Sequence, residues 1–115
     1  QTCAFRSMEQ LTLSEKFGSN YVLLELSGAV NSYTIAELKQ KLMMYIEDAY
    51  VVLDLSNVTV LDSSGMGLFM GAFNSSVRMG TKLFFMNPSD AAKRVIDATG
   101  FSDTFHFLHS VTEIE

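Results

Sequence analysis

The run Val51-Val52-Leu53-Asp54-Leu55 sets the tightest limit on what this chain can fold into. Four of its five side chains are apolar and two are β-branched, which leaves no polar side to turn toward water. That is the pattern of a strand buried on both faces of a parallel or mixed sheet. Parallel strands need crossover connections, and helical periodicity stands before and after the run. Upstream, Ile35, Leu38, Leu42, Tyr45 and Ile46 share one stripe while Glu37, Lys39, Lys41 and Glu47 fall off it, predicting a helix from Tyr33 to Glu47. Downstream, after a loop holding Val58, Val60 and Leu61, the residues Met66, Phe69, Met70, Phe73 and Val77 recur at helical spacing. They predict a second helix that opens at Asp62-Ser63-Ser64-Gly65 and ends near Met79-Gly80.

The remaining segments complete the pattern. Leu11 to Leu13 and Tyr21 to Leu26 read as a hairpin around Phe17-Gly18-Ser19-Asn20, with Ser27-Gly28 closing its second strand. Lys82 to Met86 is another buried strand. Asn87-Pro88-Ser89 starts a third helix with Ala92, Val95 and Ile96 inward, Gly100 ends it, and Phe105-His106-Phe107 is a short last strand. With a terminal helix from Ser110 as an option, the order is β-β-α-β-α-β-α-β(-α). This is an α/β fold with a mixed or parallel central sheet of about five strands and helices packed on it. The 115 residues suit a single domain spanning 1–115, with 1–10 as an extension or flexible N-terminus.

Charge and cysteine content narrow the function. Thirteen acidic against eight basic residues give a net charge of −5, and no stripe of Lys and Arg exists to neutralise phosphates, so no nucleic-acid partner is expected. Cys3 is the single cysteine, which excludes an internal disulfide and a multi-cysteine zinc site and is compatible with a reducing cytoplasm. The longest apolar runs, such as Tyr21 to Leu24 and Leu83 to Met86, are far short of the ~20 residues that span a bilayer, so no direct membrane insertion is expected.

The chemistry concentrates where the buried strand hands over to the second helix, at Asp62-Ser63-Ser64-Gly65-Met66-Gly67. Helix N-termini carry unpaired N–H groups and partial positive charge, so a phosphate there is well tolerated. Phosphoserine adds about −1.5 to −2 charges, and beside Asp62 it makes a concentrated anionic spot. Asp and Ser are equally the preferred N-cap residues, so a plain cap accounts for the same four letters. Gly65, Gly67 and Gly71 cost helix stability and imply close approach by another backbone, either from within the domain or from a partner, with a partner favoured for at least Gly67. Leu68 falls off the apolar stripe and is expected to stay exposed beside Ser63 as a hydrophobic anchor.

Other candidates carry less. His106 and His109, without cysteine or carboxylate company, make a poor metal site, and neither metal nor cofactor is expected. A serine hydrolase would need a G-x-S-x-G turn and a base, and the turn is missing its leading glycine; a phosphate-cradling G-x-x-x-x-G-K-[ST] loop is absent. Phe69, Met70, Phe73, Phe84, Phe85 and Met86 suit buried faces, and Lys93 and Arg94 read as solvated charges.

The segment from Val51 to Val58 through Leu61-Asp62-Ser63-Ser64-Gly65-Met66-Gly67-Leu68 resembles the hallmark of STAS domains, specifically the bacterial anti-sigma factor antagonists. The resemblance extends to Leu26-Ser27-Gly28-Ala29-Val30-Asn31 with Thr34 to Leu38, to Gly80-Thr81-Lys82-Leu83 and to Val95 through Phe101. It implies a regulatory protein, not an enzyme, that binds an anti-sigma factor serine kinase of the GHKL type and so releases a sigma factor. It further implies phosphorylation at Ser63, with Ser64 second, and reversal by a phosphatase. Asp62, Ser63, Ser64, Gly65, Gly67 and Leu68, with Asn31 and Ser32 of the Gly28 to Ser32 loop, are the implied partner-binding residues. Family members often carry an acidic G-E-x-D pattern where this chain has Gly28-Ala29-Val30-Asn31. An alternative within the family is an unphosphorylated STAS adaptor of a membrane lipid or anion transport system.

Overall fold

The computed structural model describes residues 11–100 and 102–113; Cys3, the expected 1–10 extension and Phe101 lie outside the described residues. Five strands form one sheet in sequential order: β1 (Leu11–Phe17), β2 (Tyr21–Val30), β3 (Tyr50–Leu61), β4 (Leu83–Met86) and β5 (His106–Leu108). β1 runs antiparallel to β2, and β2 through β5 are mutually parallel. Helices α1 (Ile35–Ile46), α2 (Ser63–Met79) and α3 (Asp90–Thr99) make the crossovers. A short 3-10 turn, Val111–Glu113, stands where a terminal helix was an option.

Alternation along the strands divides the apolar residues between two faces. Leu24, Leu53 and Phe85 join Leu38 and Leu42 of α1, Phe69 of α2 and Ile96 of α3 in the main core. Leu23, Val52, Phe84, Met86 and Leu108 form a second cluster on the opposite face. Val51, Val52 and Leu53 are each 0% exposed, as a strand buried on both faces requires. Phe69 of α2 meets Phe85 of β4 at 5.4 Å between centroids, a tilted aromatic pair that adds to the ~1.5–3 kcal/mol each such side chain gains from burial.

Three strands run further than the sequence pattern predicts, and the first of them, β1, passes Leu13 to take in Phe17, the first residue of the expected turn. β2 does not close at Ser27-Gly28 but continues to Val30, with register shifts between Glu25 and Ser27 and between Gly28 and Ala29. Gly28 takes φ 114 there, a backbone that side-chain-bearing residues rarely adopt, which is why the irregularity falls on a glycine. β3 likewise absorbs the expected loop around Val58, Val60 and Leu61 and reaches Leu61. Ser56 and Asn57 interrupt its alternation with two exposed residues, and Ser89 braces the far side: its hydroxyl donates to the Val58 carbonyl at 2.6 Å and its N–H to the Leu55 carbonyl at 3.0 Å. The same hydroxyl accepts from Ala92 N–H at 3.1 Å and so caps α3.

The edge strand is tied to the nearest helix by charge. Glu15 of β1 accepts hydrogen bonds from Lys41 and Tyr45 of α1, and Phe17 meets the Tyr45 ring edge-on at 5.8 Å. The Lys41 ammonium, then the Tyr45 hydroxyl, hold the Glu15 carboxyl below the usual carboxylate range, and Glu15 in turn raises both partners.

Candidate functional site

In the parallel part of the sheet, β2 and β3 deliver their C-terminal ends side by side, with Val30 paired to Leu61. Asp62 N–H extends the pairing by donating to the Val30 carbonyl at 3.2 Å. Asp62 is extended at φ −105, ψ −174, and its Oδ1 accepts from Gly65 N–H at 3.1 Å, while Met66 N–H donates to its carbonyl at 3.0 Å. This is an N-cap that stops the strand and starts the helix within one residue. Ser63, the first residue of α2, is exposed, and no hydrogen bond among the described residues holds its hydroxyl; Ser64 is half-buried. The Asp62 cap is the sole acidic group at this helix start, since the first turn itself holds none.

The eight residues expected to form the binding face separate by position. Asp62, Ser63, Ser64, Gly67 and Ser32 reach the surface in whole or part. Gly65 is buried, and a Cβ on it would meet Leu61 Cδ1 at 2.5 Å, Val30 Cγ1 at 2.7 Å and the Val30 carbonyl oxygen at 3.3 Å. Its backbone neighbour is therefore inside the domain. A Cβ on Gly67 or Gly71 would meet nothing within 4 Å, so no internal packing demands glycine at either position.

Leu68 corrects the expectation of an exposed anchor: it is 8% exposed and belongs to the main core. α2 is covered by α1 along one flank as well as by the sheet beneath, so a residue off the sheet-facing stripe still finds a neighbour. Val77 errs in the opposite direction, placed on the stripe by spacing yet 67% exposed near the helix end. Asn31 is also buried, at 8%. Its Oδ1 accepts from Tyr33 N–H at 2.9 Å, its N–H donates to Thr34 Oγ1 at 3.0 Å, and its carbonyl takes the N–H groups of Thr34 and Ile35, each at 3.1 Å. Asn31 thus builds the β2–α1 turn. Of the Gly28 to Ser32 segment, Gly28, Ala29 and Val30 are strand rather than loop, and Ala29 and Val30 are buried.

A groove of about 330 Å³ between α1 and α2 runs from Ser64 past Gly67 and Gly71, with Leu68, Ile35 and Met43 apolar and Lys39 beside them. Two residues that spacing alone did not single out are exposed near the C-terminal ends of β2 and β3: Tyr33, 89% exposed and three residues past the end of β2, and Val60, 49% exposed and next to the last residue of β3. Tyr33 sits in a polar Asn-Ser-Tyr-Thr stretch, which offers no periodicity to mark it.

His106 cannot serve Ser63. It lies in the row Val52, Phe84, His106, whereas Leu61 stands nine positions further along β3, some 25–30 Å away at strand rise. Among the described residues no three of His, Cys, Asp and Glu gather as a metal would need, and no helix is long and apolar enough to cross a membrane.

A mixed five-stranded sheet with a capped helix start at the C-terminal end of its central strand defines the class, a small α/β domain. The comparisons narrow the class. A family model for the STAS domain matches residues 13–114, and the chain belongs to that family. It is 30% identical over 94 residues to the anti-sigma-B factor antagonist of Staphylococcus aureus strain NCTC 8325, covering 80% of this chain and 86% of the relative. It is 32% identical over 87 residues to the anti-sigma-B factor antagonist of Listeria monocytogenes, covering 74% and 76%. The fold matches an anti-sigma factor antagonist from Mycobacterium paratuberculosis at TM-score 0.74 and 22% identity, over 90% of this chain and 89% of the other. It also matches the antagonist SpoIIAA in its unphosphorylated form at TM-score 0.75 and 17% identity, over 90% and 93%.

Proposed function

We propose that this chain is an anti-sigma factor antagonist whose binding is switched at Ser63. The observation that carries the reading is the exposed, untethered Ser63 hydroxyl on the first residue of α2, in a chain 30% identical to proteins named anti-sigma-B factor antagonists. In the unmodified state the end of the domain around Asp62, Ser63, Gly67 and Ser32 docks on an anti-sigma factor serine kinase of the GHKL type and thereby frees a sigma factor. The kinase transfers a phosphoryl group from ATP to the Ser63 oxygen, and a phosphatase removes it by hydrolysis. The added charge of about −1.5 to −2 falls beside the Asp62 carboxylate, on a surface the partner would have to dehydrate. Phosphate at a helix N-terminus suits the open N–H groups, so the fold persists while the contact is lost. The chain acts by binding and performs no catalysis of its own.

Phosphorylation is tested by intact-mass spectrometry with site mapping on protein from its native cells, beside Ser63→Ala. A species heavier by one phosphoryl group that maps to Ser63 and disappears in the variant is the expected result. Unmodified protein under all growth and stress conditions would overturn the switch.

A further inference from the structure

Tyr33 is the most exposed of the large apolar side chains among the described residues, at 89%. A single exposed ring is ordinary on a protein surface. Its mounting is less so. Tyr33 N–H is held by Asn31 Oδ1 at 2.9 Å, and Thr34 Oγ1 donates to the Ala29 carbonyl at 2.8 Å while accepting Asn31 N–H at 3.0 Å. These bonds fix the backbone on both sides of a side chain that itself stands in water. We propose that Tyr33 is the aromatic anchor by which the partner protein seats on the Ser63 end, and that the partner carries a recess sized for a phenol ring beside the surface that covers Ser63.

The inference rests on the reading that a partner covers Ser63, and chain geometry supplies the step from one residue to the other. Val30 and Leu61 are paired neighbours, Tyr33 lies three links beyond one and Ser63 two beyond the other. Five links of ~3.8 Å plus a strand spacing of ~5 Å put their Cα atoms at most about 24 Å apart. A standard interface of ~800 Å² per partner is about 32 Å across if round, so a footprint centred between the two residues takes in both. Val60, half-exposed and paired with Ala29, lies near the same strand ends and adds apolar surface. Interfaces draw disproportionately on Tyr, and a ring on a pre-ordered backbone loses little entropy on docking, which favours Tyr33 over the flexible Lys39 nearby as the anchor.

The test uses the anti-sigma factor that the wild-type chain captures from its own cells, identified by mass spectrometry, purified and titrated calorimetrically. Tyr33→Ala is expected to weaken binding at least about tenfold at an unchanged melting temperature, Tyr33→Phe to stay within about threefold. Wild-type affinity in Tyr33→Ala, or a loss in Tyr33→Phe equal to that in Tyr33→Ala, overturns the anchor. Ser63→Glu, run in parallel, separates the two readings: wild-type affinity there with a loss in Tyr33→Ala removes the switch and keeps the anchor. Capture of no anti-sigma factor by the wild-type chain removes both.

Discussion

The two sides of the first turns of α2 differ more than their sequence does. Gly65 and Leu68 face inward, one pressed against Val30 and Leu61, the other sealed into the core; Ser63 and Gly67 face out, with open space beyond. All four belong to one short motif and all four were expected at a partner's surface. The helical period sorts them: half of the motif holds the helix onto β2 and β3, and the other half is what a second protein can touch. A motif shared by a family is therefore a mixture of packing and recognition, and only burial separates them.

The comparison can be broken by substitution. The largest effect is expected at Leu68→Ala, which deletes a core side chain and should lower stability by about 3 kcal/mol in chemical denaturation; a loss below about 1 would return Leu68 to the surface. Gly65→Ala follows, because the stiff Val30 side chain and its carbonyl must shift to admit a methyl, at a net cost of about 1–2 kcal/mol after the helix-propensity gain. Asp62→Ala removes the cap that accepts Gly65 N–H and should cost about 1 kcal/mol, read by the same denaturation series. Gly67→Ala is the same chemical change as Gly65→Ala two residues on, yet it should stabilise by up to about 1 kcal/mol, since the new methyl meets nothing and helix propensity improves. Equal signs at the two glycines would erase the distinction.

The smallest effect concerns the opposite flank of α1. Because its partners depress the folded-state pKa of Glu15, the carboxylate stabilises the fold above its ordinary value of 4.5 and the contribution is lost as pH falls through the depressed value. The melting temperature of wild type should exceed that of Glu15→Gln near neutrality, and the gap should close in acid. A gap independent of pH would mean that Glu15 acts through shape rather than charge.

Much of the architecture could be read from residue order alone. The Val51 to Leu55 run, the two glycines that end α2 and α3 in left-handed conformations, and the inward residues Leu38, Leu42, Phe69, Ala92 and Ile96 were all legible, because each depends on local periodicity or on a cap. The continuations of β2 and β3 were not. Gly28 and the exposed pair Ser56-Asn57 look like strand ends, and only pairing across the sheet carries the backbone through them. At the site, the start of α2 at Asp62-Ser63 was legible from its cap. Leu68 was misread because a stripe rule supplies a helix with one covered side, while α1 gives this one a second. Tyr33 left no trace in periodicity, since its exposure follows from a turn that Asn31 and Thr34 build together.

The sheet order has a consequence for how the molecule comes to exist. Each strand lies beside its predecessor in the chain, so none has to be threaded between two that are already paired. Assembly can proceed by accretion at one growing edge, each βα unit closing a loop of modest length before the next arrives, which keeps the entropic barrier to each closure low. A nascent chain emerging from the ribosome would then have β1 through β3, with α1 and the start of α2, able to associate before β5 is synthesised. The serine-bearing end could take shape early, and the late addition would be the short edge around His106 to Leu108.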